Sequence, residues 1–175
     1  HLLTLYFQPV KLNGILRSVA REFVSVANSR KISFTNKDFE GSDVLFYADP
    51  ERLYQVYRNI ISNAFKYTPD GGRIVIDGRL LPGFVEVTIM DSGIGIDPEE
   101  HPRIFEKFGR LGDVSLHSSG KTKFKGGGPG LGLPIAKGII EAHGGTIWVE
   151  SEGYSEEKCP GATFHTLLPI RKEPP

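Results

Sequence analysis

Residues 49–97 read "DPERLYQVYRNIISNAFKYTPDGGRIVIDGRLLPGFVEVTIMDSGIGID". Asp49-Pro50-Glu51 is a helix start. It combines a capping carboxylate, a ring with φ preset for the first helical position and an acid facing the positive helix end. Leu53, Val56, Tyr57, Ile60, Ile61, Ala64 and Phe65 follow at spacings of three and four, one apolar stripe of an amphipathic helix. Pro69-Asp70-Gly71-Gly72 ends it. The period then changes to two. "RIVIDGRLL" and "FVEVTIMD" alternate as strands do, and Pro82-Gly83 between them predicts a hairpin.

Upstream, "LNGILRSVAREFVSVANSR" (12–30) sets Leu12, Ile15, Val19, Phe23 and Val26 on one helical face. "YFQPV" (6–10) reads as extended, and "KISFTNKDF" (31–39) and "DVLFYAD" (43–49) as strands. Downstream, 92–130 is loop-rich, with a short helix predicted at "PRIFEKF" (102–108). A helix at "LGLPIAKGIIEAHG" (131–144) and strands at "TIWVESE" (146–152) and "GATFHTLLPI" (161–170) finish the chain. Helices and strands are partly segregated, and hairpins join the strands. That order predicts an α+β two-layer sandwich, a largely antiparallel sheet covered by helices on one face.

The 175 residues fit one domain with a real core. A net charge of zero gives no reason to expect nucleic acid or an anionic membrane as partner. One cysteine, Cys159, excludes an internal disulfide and a multi-thiolate metal site, and fits a reducing compartment. No apolar run approaches the roughly 18 residues of a membrane span. The chain opens on His1 rather than Met and lacks a secretory signal, so it reads as a piece of a longer protein.

Three stretches carry candidate chemistry. Asn59, Asn63 and Lys66 stack on the polar side of the 50–67 helix, although Asn is a poor interior helix former. Amide oxygens can ligate a hard cation such as Mg²⁺, and a nearby ammonium can meet phosphate; a solvated polar face is the alternative. Asp91 ends a strand before a turn through Gly93 and Gly95. A carboxylate there can accept from an amine such as that of adenine, and glycine lets a ligand approach the backbone; an ordinary turn would look the same. "GGGPGLGL" (126–133) runs into a helix, so its N–H groups are free to converge on an anion. No βαβ unit surrounds it and no Lys-Ser/Thr follows, so it is neither a dinucleotide fingerprint nor a P-loop; a hinge is the alternative. Between these stretches, 109–127 holds Arg110, Lys121, Lys123 and Lys125 against Asp113, and reads as a basic lid or a surface loop.

In this order the pieces resemble the ATP-binding catalytic domain of a sensor histidine kinase, from the ATPase superfamily shared with gyrase, MutL and the ninety-kilodalton heat-shock chaperones. "RNIISNAFKYTP" resembles its asparagine box, "DSGIGI" and "GPGLGL" its two glycine boxes, and "IFEKF" its phenylalanine box, while "EAHGGTIWVES" matches the usual continuation. The resemblance implies the Bergerat fold, a mixed and mostly antiparallel sheet with about three helices on one face. It implies residues 1–8 as the end of an interdomain linker, 9–172 as the catalytic domain with an ATP lid at about 109–129, and 173–175 as a tail. By the same resemblance Asn63 coordinates Mg²⁺ with Asn59 in support, Lys66 reaches phosphate, and Tyr67 flanks the nucleoside. Asp91 holds the adenine amine, with Gly93, Gly95 and Ile96 shaping the pocket. Arg110, Gly128, Gly130, Leu131, Gly132 and Leu133 line the phosphate end. Phe105 and Phe108 anchor the lid, and His143 is structural. Pro129 departs from the family pattern by removing one N–H from the phosphate cradle, and Gly109 stands where many relatives carry an aromatic.

Such a domain donates the γ-phosphoryl of ATP to a histidine, largely by positioning and charge neutralisation. None of the five histidines here is followed by the acid that marks an acceptor. The implied partners are therefore a separate histidine-containing dimerisation domain and a response regulator receiver domain, with no nucleic acid and no direct membrane contact. The implied setting is the cytoplasm, which leaves a membrane-anchored parent open. The isolated chain is expected to bind Mg²⁺–ATP without phosphorylating itself. Two other classes stay open: a degenerate nucleotide-binding regulatory module, and an ATP-hydrolysing member of the superfamily. Against the second, Asn59 holds the place of those relatives' catalytic glutamate, and no Glu follows Glu51 in the helix.

Overall fold

A computed structural model of the chain describes residues 3–106 and 132–175. The expected lid at 109–129, and with it Phe108, Gly109, Arg110, Gly128, Pro129, Gly130 and Leu131, lies outside the described residues.

The described helices are α1 (Leu12–Arg30), α2 (Pro50–Tyr67) and α3 (Gly132–Ala142). The strands are β1 (Gln8–Val10), β2 (Ser33–Asn36), β3 (Phe46–Ala48), β4 (Arg73–Leu81), β5 (Phe84–Asp91), β6 (Thr146–Glu150) and β7 (Ala162–Pro169). The main sheet has five strands in the order β2-β4-β5-β7-β6. Its one parallel pair, β2 with β4, is joined through α2, the kind of crossover a parallel pair needs. The other pairs are antiparallel, and Leu81 faces Phe84 across the two-residue turn at Pro82-Gly83. The sheet is thus mixed and mostly antiparallel, as expected for an α+β sandwich.

Three details differ from the sequence reading. β3 does not join the main sheet but pairs with β1 in a separate two-stranded ribbon. Ile15 sits at the margin of the α1 stripe and Leu16 is fully buried, because the packed face follows Leu12, Leu16, Val19, Phe23 and Val26. The described part of "PRIFEKF" forms only a 3-10 turn, Arg103–Phe105, preceded by another at Pro98–Glu100.

The core lies between sheet and helices. Ile74, Ile76, Val85, Val87, Ile89, Phe164 and Leu168 point inward at alternate positions and are essentially buried. They meet Leu53, Val56, Ile60 and Ile61 of α2, and Phe23 of α1 stacks on Phe65 at 5.2 Å. Both ends of α2 are anchored by side chains. Asp49 caps the start by accepting from the Arg52 N–H. The Asp49 N–H in turn donates to His143 Nε2 at 3.0 Å, so the other ring nitrogen carries the proton and donates to the Ile139 carbonyl at 2.8 Å. Burial lowers the His143 pKa, which keeps this neutral tautomer in place. At the far end the buried Arg30 guanidinium donates to the Phe65 and Thr68 carbonyls and pairs with Asp70 at 2.7 Å. It satisfies carbonyls that a helix end leaves open. No described helix is long and apolar enough to cross a membrane.

Candidate functional site

The last two turns of α2 face the ends of β5 and β7. A narrow cleft there, closed down to about 10 Å³ in this structure, is lined by Asn63, Tyr67, Asp91, Gly95, Ile96, Ala162 and Phe164. Five residues singled out in sequence thus meet in one place: Asn63, Tyr67, Asp91, Gly95 and Ile96. Asn59, one turn earlier, donates through Nδ2 to the Gly132 carbonyl at 3.0 Å, which ties the start of α3 to the amide face of α2. Gly132 stands against Asn59, and Leu133 is buried in the same first turn. Lys66 is half-buried on this face, its ammonium 5.6 Å from the centre of the Tyr67 ring. Arg110, Gly128, Gly130 and Leu131 lie outside the described residues. His143 is not in the cleft; it holds the opposite end of α2.

Asp91 is the buried acid of this cleft. Only 5% of it is exposed. Burial raises its pKa to about 7, and backbone N–H groups of Gly93 and Ala162 offset only part of that. A donor entering the cleft would hold it ionised.

The glycine turn is packed too tightly for side chains. A Cβ at Gly93 would stand 2.4 Å from the Tyr67 carbonyl oxygen. Gly95 has φ 78°, and a Cβ there would stand 1.9 Å from the Gly153 carbonyl oxygen. Gly95 can therefore only be glycine, on grounds of both backbone shape and space.

Sequence reasoning missed the second wall. Ala162 and Phe164 come from β7, which pairs with β5 so that Ala162 faces Asp91 and Phe164 faces Ile89. Phe105 packs edge-on against Phe164 at 6.1 Å between ring centres. The alternation of "GATFHT" announced the strand, but only register could say which residue stands beside Asp91. A larger hollow of about 750 Å³ runs between α1 and the start of α2, past Lys11, Gly14, Tyr54 and Arg58 to Asn59. It is open and holds no buried titrating group.

Comparison with known proteins agrees with this geometry. Residues 48–172 match the family described as "Histidine kinase-, DNA gyrase B-, and HSP90-like ATPase". The sensor histidine kinase RppB of Synechocystis is 34% identical over 163 residues, which is 93% of this chain and 33% of RppB. The chain therefore spans about a third of the length of this curated relative. Among solved structures, the catalytic domain of histidine kinase ThkA superposes with TM-score 0.77 at 28% identity, covering 97% of this chain and 100% of that one. ThkA has also been solved in complex with the response regulator protein TrrA, with TM-score 0.72 at 27% identity and coverage of 94% and 42%. Full-length ShkA, solved in complex with AMPPNP, gives 0.79 at 27% identity, covering 99% of this chain and 33% of that one. The chain has the fold of a histidine kinase catalytic domain and belongs to the histidine kinase-, DNA gyrase B- and HSP90-like ATPase family.

Proposed function

We propose that this chain binds Mg²⁺–ATP in the cleft beside Asp91 and presents it for phosphoryl transfer to a histidine on a dimerisation domain. The observation that carries the reading is Asp91 itself: a buried carboxyl, poised near neutrality, at the base of a cleft walled by the amide face of α2. An exocyclic amine is a donor that suits it. Likeness to ShkA, solved with a nucleotide analogue, supports the same reading.

The donor set fits the metal as well. No cluster of three or more His, Cys, Asp or Glu among the described residues could hold a cation by itself. Mg²⁺ is usually held by few protein oxygens together with phosphate oxygens, and Asn63 offers such an oxygen. Asn59, committed through its Nδ2 to Gly132, keeps its carbonyl oxygen in reserve and orients the first turn of α3. When bound, Mg²⁺–ATP supplies the transferable phosphoryl group, and the metal neutralises its charge. Lys66 adds a cation on the same helix face, and Tyr67 packs beside the nucleoside. Gly132 and Leu133, with Arg110, Gly128, Gly130 and Leu131, are assigned to the phosphate end. Residues 9–172 are the proposed catalytic unit, 109–129 its lid, 1–8 the end of a linker and 173–175 a tail. The proposed setting is the cytoplasm, and the proposed downstream partner is a response regulator receiver domain, as ThkA's complex suggests.

Transfer is favoured over hydrolysis by one feature. Among the described residues lining the cleft the single carboxylate is Asp91, which is committed to backbone N–H groups. No carboxylate stands at Asn59 to activate water. Calorimetric titration of the chain with ATP, with and without Mg²⁺, tests the binding step. Adding a matching histidine domain with γ-labelled ATP tests the transfer. Absence of saturable, Mg²⁺-dependent ATP binding defeats the reading.

A further inference from the structure

The segment between β6 and β7 wraps the underside of the glycine turn. The Gly161 N–H donates to the Gly93 carbonyl and the Ser155 N–H to the Ile94 carbonyl, both at 2.8 Å, and Gly95 forms a bridge with Tyr154. One side chain sits at the centre of this seam. Ser151 Oγ accepts from the Ile96 N–H at 3.0 Å. It lies 2.7 Å from the Gly161 carbonyl oxygen and 3.2 Å from that of Gly153. A hydroxyl has one proton, so the nearer Gly161 oxygen receives it and Gly153 stands as second acceptor. Ile96 lines one side of the cleft, and Ala162, the neighbour of Gly161, lines another and donates its N–H to Asp91. A single hydroxyl therefore sets the spacing of the two backbone segments that frame Asp91.

We infer that Ser151 is a positioning residue that sets discrimination for the adenine base, acting through Ile96 and Gly161. The inference rests on the nucleotide-binding reading above. Loss of the hydroxyl leaves the Ile96 N–H and the Gly161 carbonyl without this partner, and the turn can drift from the β7 end. Asp91 then no longer meets a 6-amino group at fixed distance. The amide face of α2 is untouched, so contacts to the phosphates persist and the loss falls on the base.

The test compares Mg²⁺–ATP with Mg²⁺–ITP, which carries a carbonyl where adenine has its amine. Affinities are measured for the wild-type chain, Ser151→Ala and Ser151→Thr. Wild type is expected to prefer ATP. Ser151→Ala should narrow the ATP/ITP ratio about tenfold, the size of one hydrogen bond's effect, with ITP affinity nearly unchanged. Ser151→Thr, which keeps the hydroxyl, should restore most of the ratio. A folded Ser151→Ala chain with the wild-type ratio, or an equal loss for both nucleotides, overturns the inference. If Ser151→Ala does not fold, Ser151→Cys supplies a weaker donor of similar shape. An intermediate ratio supports the inference, and an unchanged one overturns it. Failure of the wild-type chain to bind either nucleotide would instead defeat the functional reading, and this inference with it.

Discussion

Strand β5 carries two buried carboxylates on opposite faces of the sheet. Asp91 points toward the helices with Val85, Val87 and Ile89; Glu86 points to the other side. They are 5% and 3% exposed. Their partners differ. Glu86 accepts from Arg79 Nε at 3.0 Å and lies 2.6 Å from His165 Nδ1. The His165 ring is stacked on Trp148 at 4.7 Å, and its Nε2 is 2.5 Å from Glu150 Oε1. Burial pushes the Glu86 pKa up, but the bonds and charges of His165 and Arg79 outweigh it, and the net shift is downward. Asp91 has only backbone N–H groups against burial, and its pKa rises to about 7. A buried acid held by side-chain donors is part of the fold. One left without them is, in the function proposed above, the ligand's contact.

The largest expected effect comes from removing that contact. Asp91→Asn replaces one of the two acceptor oxygens by an NH₂ donor, so with its remaining oxygen on the Gly93 N–H the amide would meet the adenine amine donor to donor. ATP affinity should fall at least about a hundredfold, the scale for a mismatched buried polar pair. Proton linkage sharpens the point. The folded Asp91 pKa exceeds its unfolded value, so the folded state binds more protons between about pH 4 and 7. This group's contribution therefore lowers the stability of the free chain as pH rises through that window, by on the order of 4 kcal/mol at most. Glu86 acts in reverse: its contribution is present above its ordinary carboxylate range and is lost as pH falls through its lowered folded pKa. ATP affinity should weaken below pH 7 in the wild-type chain as Asp91 takes up a proton. A flat affinity profile from pH 5.5 to 8 would contradict the assignment of Asp91.

On the other face, Glu86→Gln should lower stability by about 1–2 kcal/mol, the range for losing a charge-assisted bond, and leave ATP affinity at the wild-type value. Chemical denaturation and calorimetry on one sample separate the two. A Glu86→Gln chain with weakened ATP binding would erase the contrast between the two acids.

That contrast was half legible in the sequence. Asp91 could be picked out because "DSGIG" follows a strand and glycine density marks a close approach. Glu86 could not, because its partners are remote in the chain: Arg79 across a hairpin and His165 79 residues away. Periodicity gave α1, α2, α3 and the β4–β5 hairpin, since each is a local pattern. It could not place β3 in a separate ribbon or set Ala162 beside Asp91, since pairing and register are decided by tertiary contacts. Arg30 was invisible for the same reason. A lone arginine at a helix end reads as surface, yet it closes the end of α2 that carries Asn63 and Lys66. Arg30→Met should cost about 2 kcal/mol in stability, from carbonyls left unmet, and weaken ATP binding a few-fold by letting the last turn fray. Full ATP affinity in a destabilised Arg30→Met chain would show that the last turn keeps its place without the cap.

The smallest effect is expected where a buried polar contact lies in the core, away from both acids. Tyr57 is fully buried on α2, and its hydroxyl is 2.8 Å from Thr166 Oγ1 on β7. Burial drives its pKa well above the tyrosine range, so the phenol stays neutral and the contact is an ordinary hydrogen bond. Tyr57→Phe keeps the ring and its packing but leaves Thr166 Oγ1 short of one partner, at about 1 kcal/mol. Neither residue lines the cleft, so ATP affinity and its pH profile should match wild type. A Tyr57→Phe chain that loses ATP affinity in step with stability would mean that the site reports global packing. The lack of a charged partner at Asp91 would then no longer explain by itself the proposed difference between the two acids of β5.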